Sequence, residues 1–364
     1  MLEIRCSGTP YEIGLHHGRE AEAKIRTGLA FYSAFFQLKA GMDWPATTRA
    51  ARKFMPLLEA SWPQLVEEMR GIADGAAVPF DSILALNCRT EIAMGLMTDG
   101  CTSLAWKTSD KSYVAQNWDV RVAIGFRISW EPAQEENLVM LHIKRDPNLS
   151  SLPSICQVTE AGIIGKIGIN AAGVGVCLNA IRVRGVDFSR LPGHLALRVV
   201  LDSTSRADAI RALRKAGIAA AIHILVADPT GATSIEASCH ALVLRDTEDN
   251  GPRLAHSNHF LYQHDERVPL MVVPDESIRR VQRATALMEV QAAAAGSGPD
   301  IATFEKILED QDNGPFGINK AGTESLPLRT LFSIVMDLDK KQAIARVGRP
   351  NALSARLLLD PCCI

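Results

Sequence analysis

The sequence predicts an α+β fold in which antiparallel sheets are layered with helices. Three observations carry this. The first hundred residues hold helical periodicity with few breakers, the remainder alternates as β-hairpins, and the helices of that remainder are clustered. This pattern argues against βαβ repeats.

In chain order, residues 2–6 read as a short strand, followed by helical stretches at 10–38, 45–58 and 62–72. Asp81 can cap a further helix over 82–89. The character changes at Thr98-Asp99-Gly100. From Cys101 onward, CTSLAW and SYVAQNWD flank the turn KTSDK, and NLVMLHIKRD follows as a strand. IIGKIGIN and GVGVCLNAIRV flank residues 171–173, IHILVAD and TSIEAS flank Pro229-Thr230-Gly231, and LFSIVMDL and QAIARVG flank Asp339-Lys340-Lys341. Helices are expected at 192–201, at 206–215 after Ser205 and before Gly217, at 277–295, and at 301–309. Neither an internal repeat nor a domain linker interrupts the 364 residues.

Composition bounds the function. With 47% hydrophobic and 22% charged residues the chain is an ordinary globular protein, and a formal charge of −2 provides no field for nucleic acid or an anionic membrane. No run approaches the ~18 apolar residues that span a bilayer. The N-terminus lacks the basic and apolar regions of a secretory signal, so the cytoplasm is the default location. The eight cysteines are scattered without a C-x-x-C pair, which argues against both zinc and a disulfide framework; no metal and no cofactor are expected. The final PCCI is neither a prenylation box nor a peroxisomal tripeptide.

The first hairpin has chemical interest. If Trp106 faces Ser112, Cys101 lies opposite Asn117, with Asp119 just beyond on the same face, so a thiol, an amide and a carboxylate cluster at one end. Gly100 leaves its carbonyl carbon open to attack by the Cys101 thiol. An N-to-S acyl shift followed by water would release a chain starting at Cys101. Its α-amine, with an intrinsic pKa of about 7.7–8.0, can then act as base for its own thiol. Taken alone, D-G-C is weak evidence: a cysteine opening a strand after glycine is more often a packed core residue.

Resemblance along nearly the whole chain weighs against that bland reading. The segments are GTPYEIGLHHG at 8–18, WPQLVEEMRGIADGA at 62–76, LNCRTE at 86–91, DGCTS at 99–103, QNWD at 116–119 and TEAGIIGKIGINAAGVGV at 159–176. LALRVVLDSTS at 195–205, HSNH at 256–259, DNGPFGI at 312–318 and RVGRP at 346–350 complete the series. In order and spacing they resemble the acyl-CoA:6-aminopenicillanic-acid (isopenicillin-N) acyltransferase family, within the N-terminal-nucleophile (Ntn) hydrolases. The resemblance implies a four-layer αββα sandwich. It also implies a zymogen cut between Gly100 and Cys101 into a helical 1–100 segment and a 101–364 segment, which stay paired as a heterodimer and together form one domain. It further implies Cys101 as nucleophile, Asp119 as the carboxylate orienting its surroundings, Asn258 as amide donor to the oxyanion, and Ser238 as a processing or substrate contact. Lys320 stands where the family has a substrate-site arginine; lysine keeps the charge but loses the bidentate fork.

The expected activity is transfer of an acyl group from an acyl-CoA or amide, through a Cys101 thioester, to an amine. Acyl-CoA would be a co-substrate, and the chemistry that of penicillin-type antibiotic biosynthesis. The alternatives are hydrolysis of N-acyl or β-alanyl amines, or a non-catalytic binding protein on the same fold. A Cys–His enzyme is a further candidate. However, His16 and His17 read as solvated or capping, and His256 and His259 as structural hydrogen-bond partners. DTEDN at 246–250 reads as a surface turn, and Trp106, Trp118 and Trp130 as core or pocket lining.

Overall fold

The computed structural model describes residues 1–93, 100–121, 137–146, 148, 150–269, 273–294, 298–312, 314, 316–323 and 328–364. Trp130 and Asp99 lie outside the described residues.

The N-terminal segment begins with β1 (Leu2–Ser7), then α1 (Pro10–Glu20), α2 (Glu22–Ala40), α3 (Trp44–Arg52), α4 (Met55–Ser61), α5 (Pro63–Gly75), α6 (Phe80–Asn87) and α7 (Arg89–Ile92). Thr9 and Glu12 form a capping box that starts α1. Helices α1 and α5 approach at backbone distance: a Cβ on Gly14 would lie 2.0 Å from the Glu68 carbonyl oxygen, and one on Gly71 2.1 Å from that of Tyr11. Pro79, rather than Asp81, precedes α6 without a side-chain cap. The Asp81 carboxylate is taken by Arg52 Nε at 2.7 Å, a tertiary partner that outcompetes the local cap.

The hairpin β2 (Gly100–Lys107) and β3 (Ser112–Arg121) opens the second part, followed by β4 (Leu138–Lys144), β5 (Ile155–Glu160), β6 (Ile167–Asn170) and β7 (Gly175–Ala180). Helices α8 (Gly193–Leu201) and α9 (Arg206–Ala216) precede β8 (Ile222–Asp228), β9 (Gly231–Ala237) and β10 (Leu242–Asp246). Then come α10 (Thr247–Asn250), β11 (Arg253–His256), α11 (Asp275–Ala294), α12 (Ile301–Leu308), β12 (Leu328–Asp337), β13 (Gln342–Arg349) and β14 (Ala352–Leu359). The expected surface turn at 246–250 is thus the end of β10 and one helical turn, with Glu248 paired to Arg206.

The strands form an eight-stranded sheet, β1-β4-β5-β6-β7-β8-β9-β10, and a six-stranded sheet, β11-β2-β3-β12-β13-β14. Neighbours are antiparallel, except that β1 runs parallel to β4. Strand alternation sorts side chains into layers. Val139 and Leu141 pack with α1–α9 on the outer face of the larger sheet, whereas Leu138 and Met140 meet Val114, Trp118 and Phe332 between the sheets. On the far side, Leu104, Trp106 and Tyr113 pack on Met288 of α11 and Phe304 of α12. The molecule is therefore a four-layer αββα sandwich, two sheets between two helical layers. Gln116 of β3 joins the sheets by accepting from Leu178 N at 3.1 Å and donating to the Leu178 carbonyl.

Candidate active site

The β2–β3 ladder is one residue out of the expected register. The loop is residues 108–111, closed by Thr108 N donating to the Lys111 carbonyl at 2.8 Å. Lys107 therefore faces Ser112, Cys101 faces Trp118, and Gly100 faces Asp119. A shift of one exchanges the faces. Asn117, expected beside the thiol, points to the helical layer, where its Nδ2 donates to the carbonyls of Leu308 and Ile318. Asp119 shares that face, directly across from Gly100.

The junction Gly100–Cys101 is buried within β2, and its backbone is gripped on both sides of the Cys101 Cα. The Cys101 N–H donates to Asn258 Oδ1 at 2.9 Å. The Cys101 carbonyl accepts from Arg280 Nη1 at 2.5 Å. Arg280 uses its whole fork: Nη2 donates to the same Asn258 Oδ1 at 2.7 Å, Nη1 also to Thr102 Oγ1 at 3.1 Å, and Nε to Glu276 Oε2 at 2.8 Å. Asn258 Nδ2 donates to the Ala180 carbonyl at 2.9 Å. Two donors at one end of the amide and an acceptor at the other fix its orientation.

Asp119 Oδ1 accepts from Thr330 Oγ1 at 2.7 Å. A register shift in β12 between Thr330 and Phe332 aims that hydroxyl. Asp119 Oδ2 has no hydrogen-bond partner among the described residues. It borders Gly100 so closely that a Cβ there would lie 2.9 Å from it and 3.3 Å from Lys320 Cε. Burial pushes the Asp119 carboxyl up to about 6, against the pull of Lys320 and Arg280. Lys320 is buried, and its Nζ donates to Glu276 Oε2 at 2.8 Å. Burial opposes the charge on Glu276 too, but Arg280 and Lys320 outweigh it and hold the carboxyl at about 2. Behind the junction stand two carboxylates and two cations.

On the inter-sheet side, Cys101 lines a cavity of ≈ 20 Å³ with Arg89, Thr90, Trp118, Lys166, Leu178, Ala180 and Ile222. That is room for about one water. Glu160 Oε2 accepts from Arg89 Nη2 and Lys166 Nζ, each at 2.5 Å, and Oε1 accepts from Tyr32 at 2.5 Å. Burial would raise the Glu160 carboxyl, but the two cations hold it well below the usual range. Lys166 Nζ also sits 3.6 Å from the centroid of Trp118, the residue facing Cys101.

The structure thus gathers Gly100, Cys101, Asp119, Asn258 and Lys320 around one peptide bond. It does not tie Ser238 to them by a hydrogen bond: the Ser238 hydroxyl closes the turn after β9, accepting from His240 N at 3.2 Å and Ala241 N at 3.1 Å. His17 is fully buried rather than solvated and accepts from Gly162 N at 3.0 Å; burial pushes it down to about 4. His256 and His259 serve structural partners, Glu236 and Ser277.

Arg280 and Glu276 escaped sequence reasoning. Their signal was there: in α11 they occupy the buried stripe with Ser277, Val281, Ala284 and Met288, where charge is out of place. Arg89 and Lys166 lie in segments quoted above for their resemblance, but as charges on an apolar background they had no partner visible in the sequence.

The family model described as acyl-coenzyme A:6-aminopenicillanic acid acyl-transferase matches residues 106–352. The acyl-coenzyme A:6-aminopenicillanic-acid-acyltransferase 40 kDa form of Emericella nidulans is 36% identical over 355 residues, spanning 96% of this chain and 94% of that protein. The beta-alanyl-dopamine/carcinine hydrolase of Drosophila melanogaster is 22% identical over 231 residues, 59% of this chain and 57% of that protein. Among solved structures, penicillin V acylase from Agrobacterium tumefaciens aligns with 71% of this chain and 86% of its own, at 12% identity and a TM-score of 0.42.

Proposed function

Because the chain belongs to the acyl-coenzyme A:6-aminopenicillanic acid acyl-transferase family, we propose that it cuts itself between Gly100 and Cys101 and then transfers acyl groups through the new N-terminal cysteine. The observation that carries this is the double grip on Cys101: Asn258 on its nitrogen and Arg280 on its carbonyl oxygen, at a glycine-preceded junction inside the core.

In maturation the Cys101 sulfur adds to the Gly100 carbonyl carbon. The C–S bond forms, the C–N bond breaks, and the nitrogen takes a proton to become the α-amine. Water then hydrolyses the thioester, leaving a carboxylate on Gly100. Asn258 Oδ1 holds the departing nitrogen throughout and afterwards orients the amine, which takes the thiol proton. In turnover the thiolate attacks the acyl carbonyl of a donor. The second N–H of Asn258 Nδ2 is the donor offered to the oxyanion. The leaving amine or thiol departs protonated, and an acceptor amine releases the acyl group from sulfur.

A substrate acyl carbon takes the place of the Gly100 carbonyl carbon in the maturation thioester, so Lys320 and Asp119, which border Gly100, become substrate contacts once the new carboxyl end at Gly100 moves aside. The relative that spans the chain favours an amine acceptor, and an acyl-CoA donor with 6-aminopenicillanic acid is the first pair to assay. With lysine at 320, weak use of that β-lactam carboxylate is expected, and Lys320→Arg should raise kcat/KM for it. The likeness to the carcinine hydrolase supports a second reading, with water as acceptor and β-alanyl amines as substrates. The test is mass detection of an acyl adduct on Cys101 after incubation with acyl-CoAs or N-acyl amines. Turnover without an adduct, retained by Cys101→Ala, would overturn the proposal.

A further inference from the structure

We infer that Glu236 is the positioning residue for Asn258, a carboxylate on one sheet that sets the amide at the edge of the other. Asn258 lies just past β11, the edge strand of the six-stranded sheet, in a segment without regular structure. Such a segment does not hold a side chain in place by itself. Glu236, fully buried in β9 of the eight-stranded sheet, reaches across the sandwich to it. Its Oε1 accepts from His256 Nε2 at 2.8 Å and from Leu261 N at 2.5 Å; its Oε2 accepts from Tyr262 N at 3.2 Å and His264 Nε2 at 2.9 Å. The carboxylate thus clamps the chain two residues before Asn258 and three to six residues after it. Ser277 of α11 completes the hold from the other side, its Oγ accepting from Asn258 N at 2.8 Å.

A second brace runs parallel. His223 stacks on His256 with centroids 3.5 Å apart and planes 5° apart. Its Nδ1 lies 2.8 Å from Asn179 Oδ1, beside Ala180, whose carbonyl takes Asn258 Nδ2. A buried carboxylate is costly unless its acceptor sites are filled. Here all four hydrogen bonds go to the segment that carries Asn258. A residue serving only the core has no reason to concentrate them there.

The inference rests on the proposed role of Asn258, so the experiment separates the two. The full chain is made by cell-free translation with pulse labelling, and the first-order rate of self-cleavage is followed for wild type, Asn258→Ala, Glu236→Gln and the double variant. Glutamine keeps the size of Glu236 but replaces one acceptor oxygen with an NH2 group. Glu236→Gln is expected to slow cleavage roughly tenfold or more, yet to add nothing in the Asn258→Ala background. Equal slowing in both backgrounds, or none in either, overturns the positioning role alone. An Asn258→Ala chain that cleaves as fast as wild type overturns the site reading beneath it. If Glu236→Gln does not fold, His264→Phe, which keeps a ring against Phe260 but removes the donor to Glu236 Oε2, is put through the same cycle and read by the same criteria.

Discussion

Gly100 and Asp119 show how far single residues constrain the junction. An alanine at 100 would press its Cβ onto Asp119 Oδ2 and Lys320 Cε. If the ~1–3 kcal/mol typical of overpacking falls on the cleavage transition state, Gly100→Ala should cleave on the order of 10- to 100-fold more slowly, as timed by denaturing electrophoresis. Asp119 gives a pH signature. Its folded-state pKa of about 6 lies above the ~3.9 of an unfolded aspartate, because burial disfavours the charge. A raised acid contributes stability below its unfolded value and loses it as pH rises through the folded value. The melting temperature of wild type minus that of Asp119→Asn should therefore fall between about pH 4 and pH 7. If cleavage needs the carboxylate, its rate should rise with pH through about 6 in wild type and stay flat and low in Asp119→Asn. A rate independent of pH in wild type would remove Asp119 from the step.

At the scale of elements, the hairpins were legible because alternation and turn residues are local signals: β2–β3, β8–β9 and β12–β13 lie where the pattern placed them. The register of β2–β3 was not, since it depends on whether the loop has four residues or five, and KTSDK allows both. The edge strands β10, β11 and β14 were not singled out, nor was the central β5; the edge strands lack the continuous burial of a central strand, and β5 (ICQVTE) interrupts its apolar residues with Gln157 and Thr159. The surroundings of Cys101 were half legible. Asp119 and Asn258 were named from motifs, whereas Arg280 required knowing that α11 lays its polar residues against β2. This helix carries its own test. Arg280→Lys keeps the charge but not the fork that spans Cys101, Thr102, Asn258 and Glu276. It should fold, and cleave roughly 100-fold more slowly if the lost contacts are worth ~3 kcal/mol. Arg280→Met should instead lose several kcal/mol of stability, because Glu276 keeps Lys320 but loses its closest guanidinium. Equal cleavage rates for wild type and Arg280→Lys would assign Arg280 to packing alone.

For the whole molecule, the proposed cut divides a shared core. Strand β1 is hydrogen-bonded along its length to β4, and Ile4, Ile13 and Ile83 pack in one cluster with Val139, Leu195 and Ile224. The two pieces should therefore co-elute in size-exclusion chromatography and separate only in denaturant. The central claim is that Cys101 becomes an amino terminus. Intact mass and N-terminal sequencing of the purified wild-type protein test it most directly. The expected result is two fragments of 100 and 264 residues (364 − 100), the larger beginning Cys-Thr-Ser, with Cys101→Ala remaining a single inactive chain. A wild-type protein that stays intact at 364 residues while fully active would contradict it.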